Sequence, residues 1–453
     1  MAAERGSPGP LADALETEAS ADPGPVPNKR VKIEAAATGP VGGSNADALT
    51  EAAPPQRVTP TAAGDSSSAS PPAPSSTPLA RPRIPPYPKT GKRKDLRKWQ
   101  DECRAIRAIL AADPRLKLPT RRKPKDPGTT NAVMSSREKV VVRGAARSIV
   151  NISSTTHDGS KRSQCTGIIM GQRESHGKKR TLIVTCSTIV SSGGTLLDPV
   201  PKLSVGLPNK TILDGQFLFL NDHYDIALLE IDVDLPLQRH SIGSGPEYGQ
   251  EVFVLARDSG LSLRVKHGEI LWLEESDYID RSYQMFLSCE VPVAGNGGPV
   301  IDHDGNVTGM AFSIKPNPAV LSISTIVTCI EMWLKFSRIA RPIHGLGVRT
   351  FELLDVSLQE EISLDHNIDS GFIVDTVSYD SAAESLGILP GDVILSIDDR
   401  HALTLPQLED YLLSLGWRFL NNSSSMVDIR LEVYDLMKES KRSIILPVRF
   451  CDA

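Results

Sequence analysis

A chain of 453 residues is long enough for two or three domains, because a single hydrophobic core usually stops growing well below that length. With 40% hydrophobic and 23% charged residues and no run of roughly 18 apolar residues, the sequence predicts a soluble protein that does not span a membrane. The net charge of −5 is unevenly distributed, since residues 89–125 carry 14 Lys or Arg against 4 Asp or Glu and so form a separate basic module.

The first segment, residues 1–86, is rich in Pro, Ala and Ser. Of the 34 prolines, 17 fall in the first 90 residues, and no Phe, Trp or Tyr occurs before Tyr87. Such a stretch buries too little apolar surface to offset the entropy of ordering, so we predict that it is disordered. Its acidic start lacks an apolar core segment, which favours neither a secretory signal nor an organelle transit peptide.

A compact basic cluster, "PNKRVKIE", lies inside this segment and contains Lys29, Arg30 and Lys32. Its functional interpretation is a nuclear import signal, and the alternative is a chance solvated cluster. Six cysteines occur without CxxC spacing or a close His partner, so they indicate reduced thiols in the nucleus or the cytoplasm. No spacing in the chain suggests a metal or an organic cofactor.

The basic module, residues 87–125, contains one apolar stripe at helical spacing: Leu96, Trp99, Cys103, Ile106 and Leu110. This pattern predicts a basic amphipathic helix. We favour docking of the helix on the body of the protein with a solvated basic face. Binding of nucleic acid or of an acidic partner through residues 89–125 is the alternative.

From residue 139 to about 340 the apolar period changes to two. Short stretches such as "RSIVNIS", "CTGIIMG", "RTLIVTC", "DIALLEI" and "EVFVLAR" are separated by Gly, Asn and Asp. This predicts an all-β domain, a sandwich or a barrel, closed by the helix "STIVTCIEMWLKFSRIA". Residues 341–453 mix strands near 371–377, 392–397, 427–434 and 443–448 with helices near 381–386 and 406–415, which predicts a small α+β unit.

Three stretches of the β domain, "IVTCSTIV", "HYDIALLEI" and "AGNGGP", carry a resemblance to trypsin-like serine proteases of the HtrA/Deg family. The resemblance implies a double β-barrel over residues 139–340. In that family the three stretches hold the catalytic His, Asp and Ser. Here Thr188 takes the His position, Asp225 is kept, and Asn296 takes the Ser position.

These replacements remove the chemistry of the triad. The imidazole of a triad accepts the hydroxyl proton and returns it to the leaving group, which Thr188 cannot do, and an Asn carboxamide is not a nucleophile. We therefore expect no peptidase turnover. The Asp225 carboxylate can still serve as a hydrogen-bond acceptor for backbone or for Thr188.

The sequence leaves two alternatives to a fully inactive site. Backbone amides of Gly295, Asn296 and Gly297 could keep an oxyanion-type nest that holds a carbonyl or carboxylate. The alternative function is a serine-type endopeptidase whose site is rewired, with His223 as the candidate base, or completed by another subunit.

The final unit resembles the PDZ domain that follows the protease in the HtrA/Deg family, most specifically in "SAAESLGILPGDVILSID". The resemblance implies a loop at Gly345, Leu346, Gly347 and Val348 that binds the end of a peptide, which adds as a strand. The leading hypothesis is a pseudoprotease that acts as a scaffold for C-terminal or extended peptides of other proteins. Family resemblance also implies a homo-oligomer, a trimer.

Overall fold

The computed structural model describes residues 82–121, 126–156, 158–175, 177–233, 241–273, 281, 283–401, 403–422 and 427–452. Most of the segment predicted to be disordered, and with it Lys29, Arg30 and Lys32, lies outside the described residues. Within the described part of the chain, no helix is both long and apolar enough to cross a bilayer.

In the part of the chain that the structure describes, three α-helices precede the sheets. The predicted basic helix is confirmed as α1 (Arg93–Ala111), where Trp99 Nε1 donates to the Pro85 carbonyl at 2.9 Å and the ring meets Tyr87 edge-on at 5.1 Å. These contacts are with the preceding segment, so docking of α1 on the β domain stays a prediction. Next come α2 (Pro127–Ala132) and α3 (Ser136–Ala145), which begins with a capping box of Ser135 and Glu138.

The first barrel contains strands in the order β1-β2-β3-β8-β7-β6 and is closed. Strand β8 is buried at six of its seven positions, as its apolar run predicts. The bounds are β1 (Ile149–Thr155), β2 (Lys161–Ser175), β3 (Lys178–Cys186), β4 (Ser191–Ser192), β5 (Thr195–Leu196), β6 (Lys202–Gly206), β7 (Ile212–Asn221) and β8 (Ile226–Asp232), with β4 and β5 forming a separate hairpin.

The second barrel is a six-stranded sheet of β9 (Glu251–Arg257), β10 (Leu263–Glu269), β11 (Met285–Phe286), β12 (Gly298–Ile301), β13 (Val307–Phe312) and β14 (Ala319–Ser322), in the order β10-β9-β12-β13-β14-β11. Its two ends meet, because Leu271 N donates to Phe286 O at 2.8 Å and Ile270 bridges Leu287. The predicted trypsin-like double barrel is therefore confirmed. Helix α4 (Ile323–Phe336) follows, where the closing helix was predicted.

Residues 340–452, here called the C-terminal unit, contain one sheet in the order β15-β20-β19-β18-β17-β16. The four predicted strands and both predicted helices are present, whereas two further strands, β15 and β16, and helix α5 were not predicted. The elements are β15 (Ala340–Ile343), β16 (Leu346–Thr350), α5 (Val356–His366), β17 (Phe372–Val377), α6 (Ala382–Ser385), β18 (Val393–Ile397), α7 (Leu405–Asn422), β19 (Val427–Asp435) and β20 (Ser440–Asp452).

Helix α7 joins the C-terminal unit to the β domain. Leu412 and Leu415 pack into the core of the C-terminal unit, whereas Leu413 is buried in the core of the barrels. Between the two, the Glu409 carboxylate accepts from Arg341 Nε at 2.8 Å and Nη2 at 3.1 Å and from the Tyr224 hydroxyl. Glu409 is only 3% exposed, so this ion pair is buried between the two units.

Candidate functional site

Thr188 lies in a short 3-10 turn that follows β3. Because Cys186 pairs with Ile226 on β8, the turn is carried to the beginning of that strand, where Asp225 lies. The Thr188 hydroxyl is 3.1 Å from the Cys186 thiol. The position that the family resemblance gives to a general base is thus filled by a hydroxyl that contacts a thiol.

Asp225 precedes β8 in a left-handed conformation, with φ of 55°. Its carboxylate accepts a hydrogen bond from the Ser187 hydroxyl, and its carbonyl accepts from the Ser187 amide at 3.0 Å. Burial raises the pKa of Asp225, and the bond from Ser187 offsets part of that rise. The carboxylate therefore accepts from Ser187 rather than from Thr188, which the sequence had suggested as a partner.

Asn296 lies opposite Thr188, and its Nδ2 donates to Thr188 Oγ1 across 3.5 Å. Its Oδ1 accepts from the Ser313 amide at 3.1 Å, and its carbonyl accepts from the Thr166 amide at 3.0 Å. The Asn296 side chain is therefore held by hydrogen bonds at both ends of its amide group, to Thr188 and to Ser313. The structure places Asn296 next to Thr188, and Asp225 next to the adjacent Ser187. That these residues occupy the triad positions stays a prediction.

The loop around Asn296 uses much of its own hydrogen-bonding capacity. The amide of Gly295 donates to Pro292 O at 2.8 Å, and the amide of Gly297 donates to Ala311 O at 2.9 Å. Gly297 has φ of 76°, and a Cβ there would lie 2.5 Å from the Cys186 amide nitrogen, so only glycine fits. A nest formed by Gly295, Asn296 and Gly297 requires these two amides to be released.

The cleft beside these residues has a volume of about 480 Å³. It is lined by hydroxyl, guanidinium and carboxylate groups and, among the described residues, by no histidine: Arg162, Ser163, Ser187, Thr188, Ser191, Ser192, Gly193, Gly194, Asp222, Asp225 and Arg281. The sequence had not identified Arg162 and Arg281 as lining residues, since they lie far from the three motifs. The cleft can donate hydrogen bonds to a peptide, but among the described residues that line it there is no imidazole to act as the base of a serine triad.

His223, the candidate base of a rewired site, lies outside this cleft lining. Its ring packs edge-on against Tyr224 at 4.8 Å and against Tyr283 at 5.4 Å. The Tyr283 hydroxyl also donates to the His223 carbonyl at 2.7 Å. The residue is thus part of an aromatic cluster, and the geometry does not favour its use as a base.

The second candidate site is the loop that opens β16. Gly345 has φ of 73°, and a Cβ there would lie 2.6 Å from Ser381 Cβ, so this glycine is required by the close approach of two loops. The amide of Leu346 donates to His344 Nδ1 at 3.2 Å. His344, Leu346 and Val348 line an apolar cavity of about 20 Å³ beneath β16. Sequence reasoning did not identify His344, whose ring nitrogen accepts the hydrogen bond of the Leu346 amide in this loop.

His344 should make stability depend on pH. Burial, with a further contribution from Arg341, lowers the pKa of His344 from 6.5 to about 4. The unfolded chain therefore binds more protons than the folded one between these values, and the free energy of unfolding should fall by up to about 3 kcal/mol as pH drops from 6.5 to 4. Urea unfolding across this range should show a smaller decrease for His344→Phe than for the unaltered protein or a His401→Gln control. An equal change of the unfolding free energy with pH in His344→Phe and in the unaltered protein would contradict the assignment of this pH dependence to His344.

Comparisons with known proteins show what this chain is similar to. A family model described as a trypsin-like peptidase domain matches residues 165–310. The chain is 26% identical over 265 residues to putative protease Do-like 14 of Arabidopsis thaliana, covering 53% of this chain and 59% of that protein. It is 24% identical over 283 residues to serine protease HTRA3 of Rattus norvegicus, covering 56% and 57%. The HtrA-type protease AlgW, solved with a tripeptide, has a TM-score of 0.48 at 19% identity and covers 70% of this chain and 98% of that one.

The double barrel, its cleft and the matching family model define a trypsin-like peptidase domain. The curated relatives that it matches are Do-like, DegP-like and HtrA proteases, each less than 30% identical to this chain. The chain spans about half the length of the curated relatives that it matches.

Proposed function

We propose that this protein is an HtrA/Deg-type protease homologue without peptidase activity, which binds peptides through a C-terminal domain of the PDZ type. The observation that carries the proposal is the pairing of Asn296 with Thr188 at 3.5 Å, at the two positions where the family resemblance implies nucleophile and base. Neither side chain can take the role of the group it replaces.

The neighbouring hydroxyls do not supply a substitute. Ser187 lines the cleft but is only 3% exposed, and its hydroxyl already donates to the Asp225 carboxylate. A carboxylate that accepts from a serine can orient it, but a triad needs an imidazole between the two to move the proton. This arrangement supports a structural role for Asp225.

Peptide binding is supported by the open edge of β16. Among the described strands, β16 pairs with β17 on one side only, so its other edge can accept an added strand. The apolar cavity between β16 and α7 lies next to this edge and is lined by Leu346, Leu408 and Leu412. An extended peptide on β16 could place an apolar terminal side chain at the mouth of this cavity.

Replacing Leu346 by Arg should weaken peptide binding about tenfold or more, because a charged side chain would lie at the apolar mouth. The probe is a library of labelled decapeptides with free carboxyl termini that end in Val, Leu, Ile or Phe, together with amidated counterparts. Fluorescence anisotropy with the full chain measures affinity. Leu364→Arg is the matched control, since Leu364 is 78% exposed on α5.

Binding that is equal in Leu346→Arg and in the control would contradict the proposed groove, as would a failure of every peptide to bind the unaltered protein. A homotrimer and nuclear residence are also proposed, the first from the family resemblance and the second from Lys29, Arg30 and Lys32.

A further inference from the structure

Three side chains on one face of the second barrel converge, although they come from distant parts of the chain. On β9, Phe253 pairs with His267 of β10 on one side and with Ile301 of β12 on the other. Because side chains alternate along a strand, Glu251 lies on the same face as Phe253, and His303, two residues after Ile301, is brought opposite Glu251. The register therefore places two imidazoles and one carboxylate side by side.

The geometry of this cluster is that of ligands around one point. One ligand atom from each of Glu251, His267 and His303 lies within 4.8 Å of the other two. His303 Nε2 is 3.4 Å from the Glu251 carboxylate, and the rings of His267 and His303 are perpendicular with centroids 5.7 Å apart. The ring of Phe253 packs against both imidazoles, with centroid distances of 4.8 Å to His267 and 4.9 Å to His303.

Two features of the cluster favour a cation. His303 Nε2 is screened from solvent and makes no hydrogen bond within the described residues. Glu251 also lies directly opposite Glu269 in the β9–β10 ladder, and like charges directly opposite each other in a sheet are destabilising. A positive ion at this point would be bound by the imidazole nitrogen and by the Glu251 carboxylate together, and it would relieve the repulsion of the two carboxylates.

We propose that Glu251, His267 and His303 bind a divalent transition-metal ion, of which Zn²⁺ is the representative. Two imidazoles and one carboxylate suit Zn²⁺, whereas Mg²⁺ and Ca²⁺ prefer oxygen ligands only. Zn–N bonds of about 2.0–2.1 Å require the ligand atoms to approach to roughly 3.4 Å, which rotation of these partly exposed side chains allows. Water completes the coordination. The ion would tie β9 and β10 to the turn between β12 and β13.

The test is isothermal titration calorimetry of the untagged, metal-free 453-residue protein with Zn²⁺, with Mg²⁺ in a parallel titration. We expect one Zn²⁺ per chain, no binding of Mg²⁺, and a higher midpoint of thermal unfolding with Zn²⁺. His267→Gln and His303→Gln should each weaken Zn²⁺ binding by at least about tenfold, the loss that removal of an outer-shell partner already causes. His401→Gln, an exposed histidine of the C-terminal unit, is the matched control and should bind as the unaltered protein does.

Thermal unfolding of the metal-free variants checks that they fold, since His267 and His303 are partly exposed and their replacement should leave the metal-free midpoint unchanged. Cobalt titration adds a spectroscopic readout, where absorption bands without a thiolate charge-transfer band identify nitrogen and oxygen ligands. Absence of Zn²⁺ binding, equal binding by both variants and the control, or a thiolate band would overturn the proposal. None of these outcomes bears on peptide binding at β16.

Discussion

The 453-residue protein should leave a fluorescently labelled unfolded protein intact, with a turnover roughly six orders of magnitude below that of a complete serine triad. The reason is that Thr188 cannot accept a proton from a nucleophile and Asn296 cannot attack a carbonyl carbon. The measurement is release of labelled peptides over many hours, combined with labelling by a serine-reactive fluorophosphonate, which should not occur.

Two variants make this result informative. Thr188→His combined with Asn296→Ser restores the missing groups beside Asp225, and cleavage by this double variant alone would support an intact fold that lacks its reactive groups. Asp225→Ala removes the remaining member of the triad. Cleavage by the unaltered protein that disappears in Asp225→Ala would refute the proposal and identify a rewired peptidase.

Replacing Glu409 by Gln should lower the free energy of unfolding by about 3–5 kcal/mol, because the Arg341 guanidinium would stay buried without its counter-charge. Burial on its own would raise the pKa of Glu409, but the charge of Arg341 and the hydrogen bonds from Arg341 and Tyr224 lower it below its ordinary value. The carboxylate is thus ionised where it contacts both units. Urea unfolding followed by tryptophan fluorescence suits the measurement, since Trp333 and Trp417 pack near this interface.

The matched control is Glu360→Gln, an exposed position on α5, which should change stability by less than about 0.5 kcal/mol. A second variant, Glu409→Leu with Arg341→Met, removes both charges and should recover much of the loss, since apolar replacement of a whole buried pair is often close to neutral. A loss below about 1 kcal/mol in Glu409→Gln would show that water solvates the pair.

Most of the fold could be predicted from the sequence, because its signals are local. The period-two runs predict strands, and the stretch "DIALLEI" matches β8, which is buried almost throughout. Thr188, Asp225 and Asn296 were found for the same reason, since each sits in a short motif whose neighbours set its place. Helix α5 was missed, because its apolar residues Val356 and Leu364 are exposed and do not form one buried face.

The contacts that give the site its properties depend on tertiary structure alone. The sequence places Ser187 beside Thr188, but only the fold turns the Ser187 hydroxyl toward Asp225, which lies 38 residues away in the chain.

The sequence by itself therefore determined that this protein has a trypsin-like barrel, and it predicts Thr188 and Asn296 at the positions that the family resemblance gives to base and nucleophile, because both signals are carried by runs of a few neighbouring residues. Only the tertiary structure decided that Tyr224 meets Glu409 across 185 residues, and that Glu251, His267 and His303 share one face. Such juxtapositions depend on strand register and on how two units pack, and no local pattern in the chain records either.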